Sequence, residues 1–249
     1  MRNLDIHLGC ERRVIFDFVN VLLKECTLGQ ALIKDKRQPN LFLLAASQTR
    51  DKTVLTEGAV GDLLMDLRRL GYDYIVCDSP AGIESGARHA MYFADEAIIC
   101  TNPEISSCRD SDKMVGFIAS RSLRAINSNP LGGGRDEPAV QTSFVTSAAV
   151  PGPVKQHLLV TRYDPDRAAA DEALGLADIT ELLGLPLVGV IPESKSVLTS
   201  CNLGQPVIMG EDNAAGAYKD AVRRLLGEEV PLRFIDVEEK SFFAKLFNR

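Results

Sequence analysis

Short apolar runs alternate with longer amphipathic stretches along most of this chain, and that alternation limits the folds open to it. The apolar runs predict buried strands at residues 41–46, 74–77, 97–101, 158–161 and 187–191. The amphipathic stretches predict helices at residues 60–70, 110–122, 168–183 and 214–226. Strands that alternate with helices form βαβ units, and nearly all-apolar strands need helices on both faces of their sheet. The sequence therefore predicts an α/β fold with a mostly parallel sheet.

One segment, residues 127–153, interrupts this order. It contains four prolines and three consecutive glycines, with small polar residues between them. Such a composition favours a flexible insertion over a regular element, with a functional role as the alternative. We therefore predict one α/β domain over residues 1–232, containing this insertion, and a separate C-terminal helix over residues 236–249.

The composition excludes several classes of protein. A net charge of −6 argues against a general nucleic-acid surface, and no apolar run is long enough for a membrane span or a signal peptide. The six cysteines form no C-x-x-C pair, and the three histidines have no ligand spacing. We therefore expect no zinc site and a reduced, cytoplasmic protein. Cys77 and Cys100 lie in predicted strands and are expected to be small core residues.

Asp78 is the first candidate site residue, because it follows the predicted strand 74–77 directly. Open α/β sheets bind ligands at the carboxyl ends of their strands. A carboxylate there can hold a Mg²⁺-bound water beside a nucleotide phosphate, and Ser79 and Gly82 add a backbone that a phosphate can approach. The alternative is an aspartate that caps a turn. No G-x-x-x-x-G-K-[ST] phosphate loop precedes Asp78 in these residues.

Three further predicted strands end in polar residues with a proline close behind. These ends are Thr101-Asn102-Pro103, Thr161-Arg162-Tyr163-Asp164-Pro165 and Ile191-Pro192-Glu193-Ser194. Together with Asp78 they indicate a ligand crevice at one edge of the sheet, although every α/β sheet needs turns at both edges.

A charged cluster follows the strand end at residue 101. Ser106 or Ser107 is expected to cap the helix that carries Arg109, Asp110, Asp112 and Lys113. This cluster is either a solvated helix start or a surface that binds a partner beside the site.

The C-terminus combines aromatic and basic residues with helical spacing. One arc of about 140° collects Phe242, Phe243, Leu246 and Phe247. The basic residues Lys240, Lys245 and Arg249 border this arc, whereas Glu239 falls inside it. An aromatic stripe bordered by lysines favours a helix that lies in a lipid interface. The alternative is a terminal helix that packs on the protein's own core.

Taken together, these residues resemble the deviant-P-loop (ParA/MinD) family of ATPases, over nearly the whole chain except residues 127–153. The resemblance is carried by residues 2–5, 9–13, 17–20, 30–37, 46–51, 77–82, 92–97, 109–112 and 188–193 and by the Phe-rich end.

The resemblance implies a set of ligands and partners. It implies ATP and Mg²⁺, with Asp78 as the Walker B aspartate and metal residue, and a homodimer formed across the nucleotide. Arg162 and the Pro192-Glu193 turn match the loops on the adenine side, and the helix of Asp110 and Asp112 matches the surface where MinC and MinE compete. The implied role is a peripheral protein on anionic lipid of the inner membrane. It places the division septum by recruiting MinC, which blocks division-ring assembly, and is released by MinE.

The sequence departs from the family pattern at two places. The phosphate loop is missing, so we expect roughly one βαβ unit to be absent and no ATP hydrolysis by the chain as written. Strand 74–77 would then have an unpaired apolar edge. Asp164 stands where the family usually has an adenine-reading asparagine, and a carboxylate lacks the amide donor. Three hypotheses follow: a septum-placing ATPase without its loop, a non-catalytic membrane and partner adaptor, or a ParA-type partition protein.

Overall fold

A computed structural model describes residues 3–47, 55–80, 82, 85–128 and 152–235. The chain divides into two compact units. Of the described residues, the first takes those within 1–97, 113–155 and 199–206, and the second takes those within 98–112, 156–198 and 207–249.

The first unit is mostly helical in its described part. Its helices are α1 (Leu4–His7), α2 (Phe18–Leu22), α3 (Leu28–Ala31), α4 (Glu57–Arg69), α5 (Ser85–Tyr92) and α7 (Leu123–Ser128), with a 3₁₀ turn at Glu11–Arg13. Its strands are β1 (Leu32–Lys34) and β2 (Phe42–Leu44). Helix α6 (Ile105–Arg121) begins in the second unit and ends in the first, and α10 (Lys195–Asn202) does the same.

The second unit is built around a sheet. Its described strands are β3 (Glu96–Thr101), which begins in the first unit, β4 (Lys155–Tyr163) and β5 (Leu187–Pro192), in the order β3-β4-β5. Its helices are α8 (Pro165–Ala169), α9 (Leu176–Leu183) and α11 (Asn213–Leu225), with a 3₁₀ turn at Val207–Met209. The order of these elements confirms the α/β class.

Strands β4 and β5 are parallel, with Val160 opposite Val190 and Tyr163 opposite Pro192. The buried core of this unit is formed by side chains of α6, β4, β5 and α9. It comprises Cys108, Leu158, Val160, Tyr163, Ile179, Leu183 and Val190. Removing these apolar side chains of a central strand and a covering helix from water stabilises the unit.

Helix α11 approaches β5 very closely because both surfaces are small. Its buried face consists of Ala214, Ala215, Ala217 and Ala221, with Asp220. A Cβ placed on Gly189 of β5 would come within 2.6 Å of the Ala221 Cβ and 2.9 Å of the Leu159 Cδ1. Only glycine fits at position 189 without a shift of its neighbours.

Strands β1 and β2 pair antiparallel as a hairpin, with Ile33 opposite Leu43. The sequence predicted a strand at 41–46 but not its partner, and it predicted no antiparallel pair. Side-chain caps fix the two short helices before the hairpin: Asp17 accepts from the Val19 amide at 2.9 Å, and Thr27 accepts from the Gln30 amide at 3.3 Å. These caps satisfy amide donors that a helix start leaves unpaired.

The predicted helix over residues 168–183 is wrong, because the structure has two helices there, α8 and α9. Asp171 between them has a φ of +57°. The amide of Glu172 donates to the Arg167 carbonyl at 2.9 Å, which closes the end of α8. Such a left-handed residue followed by a back-directed hydrogen bond is a common helix stop.

The predicted strand at 74–77 is also wrong. These residues form no regular element, and Tyr74 and Val76 are 74% and 89% exposed. No strand of the described residues pairs with this segment. An apolar run becomes a strand only where a neighbouring strand satisfies its amides and carbonyls, and none of the strands that the structure describes does so here.

The cysteine prediction fails at both named positions. Cys77 and Cys100 are exposed, and Cys10 and Cys108 are buried instead. Cys77 is exposed because its segment is not a strand, and Cys100 lies on the exposed face of β3. Of the predicted insertion, residues 127–128 lie in α7 and residues 129–151 fall outside the described residues, as does the predicted helix at 236–249.

Candidate functional site

The polar ends of β3, β4 and β5 meet at one edge of the second unit. The Thr161 hydroxyl donates to Asn102 Oδ1 at 2.8 Å, which joins the ends of β4 and β3. The Glu193 amide donates to the Tyr163 carbonyl at 2.9 Å, which joins the ends of β4 and β5. Three of the four strand ends that the sequence predicted at one edge therefore meet, and open α/β sheets bind ligands at this kind of edge. The fourth predicted end, at Asp78, does not follow a strand of the described residues.

Arg162 and Glu193 form an ion pair across this edge. Arg162 Nε lies 2.8 Å from Glu193 Oε2, and both side chains are about half exposed. The hydrogen bond from Arg162 to Glu193 raises the pKa of the arginine above its ordinary value. Arg162 also has a φ of +57°. A left-handed backbone is costly for a residue other than glycine, and such strain is concentrated at functional sites.

Asp164 follows β4 and caps helix α8. Its Oδ1 accepts from the amides of Asp166 at 3.0 Å and Arg167 at 3.3 Å. Pro165 opens the helix, where its missing amide costs nothing. The cap fixes the direction of the Asp164 carboxylate, which is half-buried at the same edge as Arg162 and Glu193.

A polar network behind the β5 end was not found from the sequence. Asp212 caps α11 by accepting from the Ala215 amide at 2.9 Å. Its other oxygen accepts from the Ser194 hydroxyl at 3.1 Å and from the Ser196 hydroxyl. The hydrogen bond from Ser196 is the main cause that lowers the pKa of Asp212. The network ties the residues that follow Glu193 to the first turn of α11. Only the cap had a sequence signal, an aspartate just before the apolar-periodic helix.

Asp78 and Ser79 lie in the first unit, in the exposed segment that follows α4, whereas Arg162, Asp164, Pro192 and Glu193 lie in the second. Asp78 is exposed, and the Ser79 hydroxyl donates to the Pro80 carbonyl at 3.2 Å. No group of three or more His, Cys, Asp or Glu side chains that could hold a metal exists within the described residues. One exposed carboxylate still fits Mg²⁺, which commonly takes one or two carboxylates together with phosphates and water.

The predicted partner surface is on the first turns of α6. Arg109, Asp110 and Asp112 are exposed, whereas Cys108 and Ser111 face the interior. Neither Ser106 nor Ser107 caps this helix, since both lie inside it. The Ser107 hydroxyl instead accepts from the Asn102 amide at 3.0 Å and so holds the β3 end against α6.

The predicted lipid-binding residues Phe242, Phe243, Lys245, Leu246 and Phe247 lie outside the described residues. Within residues 3–235, where described, no helix has the length and apolar character needed to cross a membrane.

A scan against protein-family models finds no match. The septum site-determining protein MinD of Escherichia coli K12 is 52% identical over 248 residues, which is 99% of this chain and 84% of that protein.

Solved structures agree with that similarity. The MinC:MinD cell division protein complex of Aquifex aeolicus matches with a TM-score of 0.74 and 32% identity, over 93% of this chain and 81% of that one. A MinD protein of Pyrococcus horikoshii in complex with Mg-ADP, 22% identical, matches in fold with a TM-score of 0.68, over 91% and 81% of the two chains. The fold is that of the P-loop ATPases of the ParA/MinD class. Within that class, the chain belongs to the MinD family of septum site-determining proteins.

Proposed function

We propose that this protein places the division septum by binding MinC through the exposed start of α6, in a state controlled by a nucleotide with Mg²⁺. The observation that carries the proposal is the 52% identity to a septum site-determining protein over 99% of the chain. The solved complex of MinC with MinD supports MinC as the partner. Arg109, Asp110 and Asp112 form the exposed charged surface on which such a partner would dock.

The nucleotide base would bind at the β4 and β5 ends. Asp78 would be the residue that holds the water of a bound Mg²⁺. The Mg-ADP complex of a structural neighbour supports this part of the proposal. Arg162, Asp164, Pro192 and Glu193 supply the base-side loops, and Ser194 with Asp212 fixes the loop after β5. Bound Mg²⁺ would neutralise phosphate charge. This chain's own residues would orient the base and hold the metal's water.

MinE would compete for the same α6 surface, and the nucleotide-bound form would dimerise. The residues Phe242, Phe243, Lys245, Leu246 and Phe247 would hold the protein on anionic lipid at the cytoplasmic face of the inner membrane. The aromatic and basic pattern of these residues supports that role.

The test expresses this chain in Escherichia coli K12 cells that lack their own MinD, and it records the positions of the septa along each cell. We expect the chain to shift septa toward midcell. The double variant Asp110→Lys/Asp112→Lys is expected to abolish that shift and to weaken binding to purified MinC by at least about tenfold. Like charges brought together across an interface cost several kcal/mol, and about 1.4 kcal/mol is already tenfold. Glu181→Lys, an exposed acid on α9, is the matched control and should behave as the unchanged chain.

The dependence of binding on nucleotide separates this proposal from the adaptor hypothesis. MinC binding and membrane binding that are the same with and without ATP and Mg²⁺ would favour a non-catalytic adaptor. Unchanged MinC binding in the double variant would show that α6 is not the docking surface. Salt-dependent DNA binding without liposome binding would instead favour a partition protein.

A further inference from the structure

Exposed apolar side chains lie close to the point at which the described part of the chain ends. A buried cluster of the second unit joins the end of β5 to the first turns of α11, and it comprises Ile191, Ala214 and Ala217. Val197, Val207 and Phe234 pack against this cluster. The residues that follow the two valines are exposed, by 67% at Leu198, 36% at Ile208 and 51% at Met209. These last three side chains form what we call the apolar patch.

The chain is held in a fixed position at Phe234, beside this patch. Arg233 Nε donates to Asp220 Oδ2 of α11 at 2.6 Å, and the Arg233 guanidinium lies 5.2 Å from the centre of the Phe234 ring. Phe234 has a φ of +63°. A left-handed backbone is an outlier for a bulky residue, and it persists only where the surrounding structure imposes it. The residues that follow Ile235 therefore start from a fixed point next to the apolar patch.

Those residues, 236–249, are the Phe-rich end, and they carry the side chains that an apolar patch would bind. Their one apolar arc holds Phe242, Phe243, Leu246 and Phe247. An amphipathic helix that lays its apolar face on an apolar surface is a common mode of recognition. Because the Phe-rich end is joined to the same unit, its effective concentration at the patch is roughly millimolar. A contact too weak to form between separate molecules would therefore form within one chain.

We propose that the Phe-rich end docks on the apolar patch of its own chain and that this docking competes with lipid. The apolar arc can face only one of the two surfaces at a time. The two alternatives that the sequence leaves open for this helix, lipid and the protein itself, thus become two states of one segment. The competition rests on the proposed function, which gives the Phe-rich end its lipid surface, whereas the docking does not.

Tryptophan fluorescence tests the docking, because the chain contains no tryptophan of its own. Phe243→Trp gives a reporter chain, and we expect its emission to be blue-shifted without lipid at every protein concentration. Leu198→Ser with Met209→Ser, added to the reporter chain, should move the emission to that of an exposed tryptophan. Both side chains are more than half exposed, so the fold should tolerate their loss.

Val222→Ser with Leu226→Ser, added to the reporter chain in the same way, is the matched control. These two apolar side chains are also exposed, and they lie near the other end of α11, away from the apolar patch. We expect this control to keep the blue-shifted emission.

Binding of the same three proteins to phosphatidylglycerol vesicles tests the competition. The patch variant should bind these vesicles more tightly than the reporter chain, by about threefold or more. Affinity is reduced in proportion to the fraction of competent molecules, and a docked fraction of about two-thirds already gives threefold. The control variant should bind as the reporter chain does.

Four outcomes would contradict parts of the proposal. An exposed tryptophan in the reporter chain, or a blue shift that survives the patch substitutions, would overturn the docking. A blue shift that grows with protein concentration would mean that a second copy occupies the patch, and it would overturn docking within one chain. Equal vesicle binding by the patch variant and the reporter chain would overturn the competition. If none of the proteins binds vesicles but the emission behaves as expected, the lipid role and the competition fail while the docking stands.

Discussion

Two regions of this chain carry the same sequence pattern and fold differently. At the ends of β4 and β5, an apolar run closes in polar residues followed by proline, and parallel pairing brings Arg162 within 2.8 Å of Glu193. At residues 74–80 the same pattern leads to Asp78, but no described strand lies beside it and Val76 is 89% exposed. An apolar run thus specifies that a segment can be buried, and a neighbouring strand decides whether it is.

Hydrogen exchange should show the largest contrast between the two regions. Amides of β4, the central strand of its sheet, are expected to exchange at least roughly a thousandfold more slowly than amides of residues 74–77, because paired amides open only when the unit unfolds. The measurement is exchange of the native chain followed by mass spectrometry. Equal protection in both segments would mean that 74–77 is paired in solution.

The next largest effect is expected at the contact of β5 with α11. Gly189→Val should destabilise the chain by about 3 kcal/mol, because the new side chain has no room beside Ala221 and Leu159. Gly116→Ala on α6 is the control, as a Cβ there meets no atom within 4 Å. Urea unfolding followed by circular dichroism measures both. A fully stable Gly189→Val variant would disprove the close packing.

One substitution made in both regions sharpens the comparison. Val190→Ala removes a side chain that is 3% exposed, and it should cost about 2 kcal/mol of unfolding free energy. Val76→Ala makes the same change at an exposed position and should cost less than about 0.5 kcal/mol. Unfolding midpoints of the two variants give the difference. Equal costs would place Val76 in a core.

The smallest effect concerns pH and the Asp212 network. Hydrogen bonding lowers the pKa of folded Asp212, so its contribution to stability is complete above its unfolded pKa of about 4 and is lost as the pH falls toward the folded pKa. Asp212→Asn keeps the cap but removes the charge, and it should cost on the order of 1 kcal/mol at pH 7. That cost should shrink below about pH 4. Glu211→Gln, which removes a carboxylate from the exposed neighbouring position, is the matched control.

The sequence predicts the parts of this fold that depend on local pattern. Strands β3 to β5 and helices α4, α6 and α11 follow from periodicity, and their polar ends follow from the geometry of parallel sheets. The β1–β2 hairpin was missed because β1 is only three residues long and follows directly after a helix. The Ser194 and Ser196 contacts with Asp212 span 18 and 16 positions, and no local pattern records such a distance.

The candidate site shows the same division between features that local sequence predicts and features that depend on long-range contacts. The positions of Arg162 and Glu193 at strand ends were predictable, whereas their ion pair depends on the register that sets Tyr163 opposite Pro192. The sequence predicted Asp78 at the sheet edge because residues 74–77 were expected to form a strand. No described strand pairs with that segment, so this reason for the position of Asp78 does not hold. The cap made by Asp164 had a sequence signal in the following Pro165, which commonly opens a helix.

Arg224, near the end of α11, donates to the carbonyls of Val188, Val230 and Pro231, at 2.9, 2.6 and 2.5 Å. Arg233 reaches the nearly buried Asp220 with its Nε at 2.6 Å. These two arginines tie the chain around residues 230–233 to α11 and to the start of β5. A force that pulls on the chain beyond residue 235 would act first on these hydrogen bonds and on strand β5, to which they connect. If the Phe-rich end binds a membrane, these hydrogen bonds would transmit force between the lipid and strand β5, and Glu193 follows the end of that strand.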